Sequence, residues 1–173
     1  AFDAALAAAF MQWVWDPFMC GPGGMGVGQV WNSSTREHKV IEFNGRAGSK
    51  VREDMWVDGL KSRTEVSHLF VFDDWRNEVG HTAVMVAGAV AAMSEIHKQW
   101  GTMSWAELLQ PAIQQAKAGI LVHPSLYDWY CTPALAGPPS GLERIKATSE
   151  CARLFLNTDG TFPGIGETID MSD

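Results

Sequence analysis

The stretch Gly88–Pro124, GAVAAMSEIHKQWGTMSWAELLQPAIQQAKAGILVHP, decides how this chain folds. Ala89, Met93, Ile96 and Trp100 recur at spacings of four, three and four, the period of an α-helix, and Gly101 then offers the left-handed residue at which helices often stop. Ser104 and Glu107 make the pattern S-x-x-E, a capping box in which each side chain satisfies a backbone donor of the first turn. A second apolar stripe follows through Trp105, Leu108, Leu109, Ala112, Ile113 and Ala116, and Gly119-Ile120 with Pro124 beyond reads as its stop. Pro111 interrupts the second helix, where it removes one hydrogen bond and is expected to bend it.

Outward from this helix pair the pattern is mixed. Ala1 to Trp15 reads as a buried helix stopped by Pro17. Val27 to Trp31 and Lys39 to Phe43 read as strands joined by the polar turn Asn32-Ser33-Ser34-Thr35-Arg36. Leu69-Phe70-Val71-Phe72 is a short strand or a buried loop anchor, and His81 to Val86 is expected to be a strand leading into the helix pair. After Pro124 a short helix carries Leu126 and Trp129. Pro133, Gly137, Pro138, Pro139 and Gly141 then mark a loop, and a last helix is expected from Glu143 to Leu156.

The order of these segments resembles the large-subunit part of the γ-glutamyltransferase (γ-glutamyltranspeptidase) family. The resemblance is carried by Val84-Met85-Val86-Ala87-Gly88, Trp100-Gly101-Thr102, Trp105 to Ile113, Ala116-Lys117-Ala118-Gly119 and Val122-His123-Pro124. Asp3 to Ala9, the glycine run Gly21 to Gly28, and the turn Gly160 to Glu167 agree with it, while Val57 to Gly80 matches more weakly. The resemblance implies an α/β (α+β) protein, residues 1–173 being one domain within a four-layer αββα N-terminal nucleophile hydrolase sandwich that a second chain completes. Because the chain opens directly into an apolar helix and closes at Asp173, it reads as an incomplete or short large subunit.

Composition fits an ordinary globular chain. With 46% hydrophobic and 19% charged residues it has the material for a core, and a net charge of −7 argues against nucleic acid or an anionic membrane as the main partner. The opening stretch, interrupted by Asp3, Asp16 and Pro17, is too irregular to span a membrane. Eight Trp and eight Met need large apolar surfaces, for which a core shared with another chain is the simpler explanation than a cofactor pocket. The resemblance implies a periplasmic or secreted protein, and the residues themselves leave the compartment open.

No catalytic constellation stands in the chain. His38, His68, His81, His97 and His123 lack metal-binding spacing, no G-x-S-x-G elbow marks a serine nucleophile, and no cofactor motif is present. Cys20, Cys131 and Cys151 are odd in number and read as free thiols; Cys20 beside Gly21 is better explained as a small buried residue than as a nucleophile. Asp73-Asp74 and Glu53-Asp54 read as solvated loops. The glycine run has the means to cradle an anion through its N–H groups but lacks the Lys-Ser/Thr of a P-loop, so close backbone approach is its better reading. The resemblance implies that this run enters the central sheet near the active site, which makes Gly23 and Gly24 candidates to line the site from behind.

The candidate binding residues are Asn44 and Arg46. The resemblance aligns Glu42-Phe43-Asn44 with the family's Asp-Phe-Arg, whose arginine grips the α-carboxylate of the γ-glutamyl group by two-point hydrogen bonding. Asn44 replaces that arginine. Arg46 reaches the same space if the strand persists, and otherwise is a surface arginine in an ion pair. The resemblance further implies an acyl-enzyme formed on an N-terminal Thr of a small subunit; Ala1, Thr82, Thr102 and Thr161 do not have that setting. Three functions follow: γ-glutamyl transfer or hydrolysis with donors such as glutathione, amide hydrolysis by an acylase with a different acyl group, or a non-catalytic scaffold that lost its nucleophile.

Overall fold

Alanine and leucine lose little on entering a helix, and the alanine-rich opening forms helix α1, Phe2–Trp15. In the computed structural model, which describes residues 1–63, 70–133 and 139–171, α1 belongs to the first of two compact units, Ala1–Gly48 with Met85–Lys117. Asp16 N–H closes its last turn on the Gln12 carbonyl at 2.8 Å, and Pro17 cannot extend the ladder. Strands β1, Val27–Asn32, and β2, Glu37–Glu42, form the expected hairpin, antiparallel from Val27 opposite Glu42 to Asn32 opposite Glu37. Asn32 holds the turn by accepting from the Ser34 amide and hydroxyl.

The helix pair stands where the sequence places it, as α2, Ala89–Trp100, and α3, Trp105–Ala118. Both arms of the capping box form: Ser104 N–H and hydroxyl donate to Glu107 Oε2, and Glu107 N–H donates back to Ser104 Oγ. The helix runs on through Pro111 to Ala118. One detail differs from expectation, because Gly101 ends α2 in extended rather than left-handed backbone. Space selects the glycine there: a Cβ would lie 2.6 Å from the His97 carbonyl oxygen.

The core of this unit is Leu6, Phe10, Leu108 and Ala112, flanked by half-buried Trp13, Met93, Ile96 and Trp105. Phe10 meets the edges of Trp13 and Trp105 with centroids 5.1 and 5.0 Å apart, so the tryptophan-rich composition is spent partly on the α1 and α3 contact. Asp3 ties α1 to the loop between α2 and α3 by accepting from the Thr102 amide and hydroxyl. Those bonds hold the Asp3 carboxyl below its ordinary range, the hydroxyl contributing most.

The second unit comprises Ser49–Val84 and Ala118–Asp173. Strand β3, Leu60–Arg63, pairs with β4, Phe70–Phe72, so the expected Phe70-Val71-Phe72 strand is present and Leu69 lies outside the described residues. Gly119, at φ 83°, makes the left-handed stop after α3 and leads into β5, Ile120–Leu121, which pairs with β6, Thr168–Ile169. Helix α4, Pro124–Cys131, buries Leu126 and Tyr130, and Tyr130 packs against Phe162 with centroids 5.0 Å apart.

Two expected elements change. The helix anticipated from Glu143 to Leu156 is two helices, α5, Gly141–Lys146, and α6, Ser149–Phe155, because Thr148 leaves helical backbone and caps α6 through its side chain. The strand anticipated from His81 to Val86 is a turn followed by a single bridge between Val86 and Arg46. A strand needs a ladder, and among the described residues this segment meets one rung. The fold class, mixed α and β, is as expected.

Candidate functional site

Three segments of the first unit meet where β2 ends. The hairpin ladder continues one pair past β2: Phe43 N–H donates to Gly26 O at 2.9 Å and Gly26 N–H donates to Phe43 O at 3.4 Å. The chain then crosses Met85–Gly88, with Arg46 N–H donating to Val86 O at 3.2 Å and Val86 N–H donating to Arg46 O at 2.9 Å. Gly24 closes the third side. Its carbonyl accepts from the Gly88 and Ala89 amides at 3.3 and 3.2 Å, satisfying orphan donors at the start of α2.

Part of the glycine run makes close backbone contacts. Gly24 N–H donates to the Gly21 carbonyl at 2.9 Å in a turn, and a Cβ on Gly24 would lie 2.9 Å from that same oxygen. A Cβ added to Gly23 would meet nothing within 4 Å.

Asn44 and Arg46 both stand exposed on the segment after β2. Asn44 Nδ2 donates to Glu42 Oε1 at 2.8 Å, as expected of neighbours two apart on one strand face. Arg46 is fixed through its backbone by the paired bonds to Val86, and its guanidinium makes no ion pair or hydrogen bond with the described residues. The surface ion pair that was its alternative reading is not formed among the described residues. What the arrangement offers chemically is a five-donor planar cation, held by a two-sided backbone bridge and open to a carboxylate.

Sequence reasoning missed the residues that shape this segment from beneath. A Cβ on Gly88 would fall 2.6 Å from Phe43 O and 3.0 Å from Phe43 Cβ. A Cβ on Gly45 would overlap the Met85 thioether. The signal available was the glycine itself, but its partner is remote in sequence.

Several other side chains with chemical potential have structural partners. Cys20 Sγ points at Asp16 Oδ2 at 3.9 Å, and burial, reinforced by the Asp16 charge, pushes the thiol pKa up, which disfavours a thiolate nucleophile. Burial likewise raises the Cys131 pKa. His123 Nδ1 caps α4 by accepting from Leu126 N–H, and His97 Nε2 lies 2.7 Å from the Met103 carbonyl. Thr82 donates to the Arg76 carbonyl and Thr161 to Asp159. Asp74 and Asp54 pair with Arg76 and Arg52 on the surface, and Lys61 pairs with Asp73. His68 lies outside the described residues.

The chain aligns over its full length with Helicobacter pylori gamma-glutamyltranspeptidase at a TM-score of 0.81 and 24% identity, covering 44% of that chain, so it shares the fold of that part of the protein. The family model described as gamma-glutamyltranspeptidase matches residues 1–173, and the chain belongs to that family. It is 34% identical over 119 residues to a glutathione hydrolase proenzyme of Bacillus subtilis strain 168, covering 69% of this chain and 19% of that protein. It is 36% identical over 129 residues to the acylase ACY 1 proenzyme of Pseudomonas sp. strain V22, covering 73% and 22%. The chain thus spans about a fifth of the length of these curated relatives.

Proposed function

We propose that this chain is a large-subunit portion of a γ-glutamyltransferase-like enzyme that cleaves an amide bond by hydrolysis or acyl transfer. The nucleophile is the N-terminal Thr of a small subunit. Its hydroxyl attacks the amide carbonyl while its own α-amine takes the proton, the amine product leaves, and water or an acceptor amine then resolves the ester. Residues 1–173 supply scaffold and one wall of the acyl pocket. Arg46 binds the acyl group's α-carboxylate, with Asn44 beside it, and γ-glutamyl compounds such as glutathione are the default donors.

The observation that carries this reading is the Arg46 guanidinium, unpaired among the described residues and held by a double backbone bonding at the end of β2. Family membership supports the reaction class. The test is Arg46→Ala in the assembled enzyme. A carboxylate ligand predicts a rise in KM for γ-glutamyl donors with kcat little changed, since uniform binding is what such a contact contributes. Unchanged kinetics would remove Arg46 from the pocket.

A second reading has its own support. Asn44 stands where the resemblance expects arginine and already donates to Glu42, and the acylase ACY 1 proenzyme is as similar to this chain as the glutathione hydrolase proenzyme. Under that reading the enzyme is an amide hydrolase with a different acyl group. Profiling acyl donors with and without an α-carboxylate separates the two.

A further inference from the structure

Gly88 and Gly45 are glycines without a conformational reason to be so. Gly88 has φ −111° and ψ −14°, and Gly45 is absent from the positive-φ residues, so neither needs the left-handed region that favours glycine. Both are instead sites of close approach, and both approaches fall on the four residues Phe43–Arg46. Any side chain on Gly88 must displace the Phe43 carbonyl, which is backbone already bonded to Gly26. A side chain on Gly45 must displace the Met85 thioether, which lies against the chain between Asn44 and Arg46.

The Gly24 carbonyl fixes Gly88 in turn, through its bonds from the Gly88 and Ala89 amides. The start of α2 is therefore a floor of set height, and the segment Phe43–Arg46 lies directly on it. Raising that floor by one methyl group tilts the segment between its two anchors, the Gly26 pair and the Val86 pair. The exposed guanidinium at its far end has no side-chain partner among the described residues to hold it in place.

We propose that Gly88 is a positioning residue for acyl-group specificity: its bare Cα sets the height of the Phe43–Arg46 segment, and so the point at which Arg46 meets the acyl carboxylate, with Gly45 and Met85 completing the support. This rests on the reading of Arg46 as the carboxylate ligand. The device acts on discrimination between acyl groups, because the nucleophile belongs to another chain and the segment holds no reacting atom.

The experiment compares γ-glutamyl and 4-aminobutyryl anilides, which differ by the α-carboxylate alone, as donors for the assembled enzyme. The readout is the ratio of their kcat/KM values. Arg46→Ala establishes the ratio without the clamp. Gly88→Ala is expected to lower the ratio by roughly tenfold to a hundredfold, the scale of an ångström-sized misplacement, while kcat/KM for the 4-aminobutyryl donor holds. Adding Gly88→Ala to Arg46→Ala is expected to change nothing further, since the two act through one contact. If Gly88→Ala does not assemble, Gly45→Ala carries the test, and Gly45→Ala with Met85→Ala is expected to restore the ratio by making room for the methyl group. An unchanged ratio in a well-assembled Gly88→Ala or Gly45→Ala enzyme, or a full additional loss on top of Arg46→Ala, overturns the proposal and leaves the clamp standing. An unchanged ratio in Arg46→Ala overturns the clamp itself, and the positioning role with it.

Discussion

At the scale of single residues, Asn44 stands where the resemblance expects an arginine, and Arg46 lies two positions on. The exchange has a checkable consequence. Asn44→Arg would place a second guanidinium beside Glu42 and over the same space, and it is expected to lower KM for γ-glutamyl donors if the pocket takes an α-carboxylate; steady-state kinetics on the assembled enzyme decide it. A rise in KM would mean that Asn44 itself faces the acyl group. Asp3 offers a second residue-scale test. Its carboxyl lies below the ordinary value of 3.8 because the Thr102 hydroxyl and amide donate to it. A depressed carboxylate pKa stabilises the folded state above the unfolded value and loses that contribution as pH falls through the folded one. Thr102→Val is therefore expected to lower the melting temperature most near neutral pH, with the gap to the parent closing in acid. Melting curves across the acid range test this, and a gap that widens in acid would contradict the assignment.

At the scale of elements, what could be read in advance depended on whether the signal was local. The box Ser104-Trp105-Ala106-Glu107 announces a helix start from four adjacent residues, and it forms in full. The same pattern at Ser140-Gly141-Leu142-Glu143 was equally present, and the structure shows a complete capping box there, so α5 begins two residues before the expected Glu143. The loop-forming prolines just before it drew the boundary inward. The break at Ala147-Thr148 was harder, because Thr is tolerated inside helices and its role as a cap emerges only once Cys151 N–H donates to Thr148 Oγ1. His81 to Val86 differs for a third reason: the apolar run Ala83-Val84-Met85-Val86 marks a segment able to pair, while pairing depends on what lies alongside. Asn44 and Arg46 were legible as candidates from the resemblance, but the supports beneath them, Gly88 against Phe43 and Gly45 against Met85, join positions far apart in sequence. Ser140→Ala removes one arm of the α5 cap and is expected to cost about 1 kcal/mol of stability, measurable by chemical denaturation. No change in midpoint would mean that the cap is replaced by solvent at no cost.

At the scale of the whole molecule, apolar side chains remain in the open that a self-sufficient core would cover. Val27, Trp31 and Val40 are 56%, 60% and 58% exposed, and the hairpin register sets Val27 opposite Glu42, Gln29 opposite Val40 and Trp31 opposite His38 on one face. The opposite face holds buried Val30, and Gly28 lies near Ile96 of α2. Such a face fits the proposed second chain, which in that reading also carries the nucleophilic threonine. The most direct test of that claim is the intact mass and N-terminal sequence of the chain that co-purifies with this one. The account predicts a separate chain beginning with Thr. An uncut product, or a companion that begins with a residue bearing no nucleophilic side chain, would contradict it and leave these residues as a scaffold without catalysis.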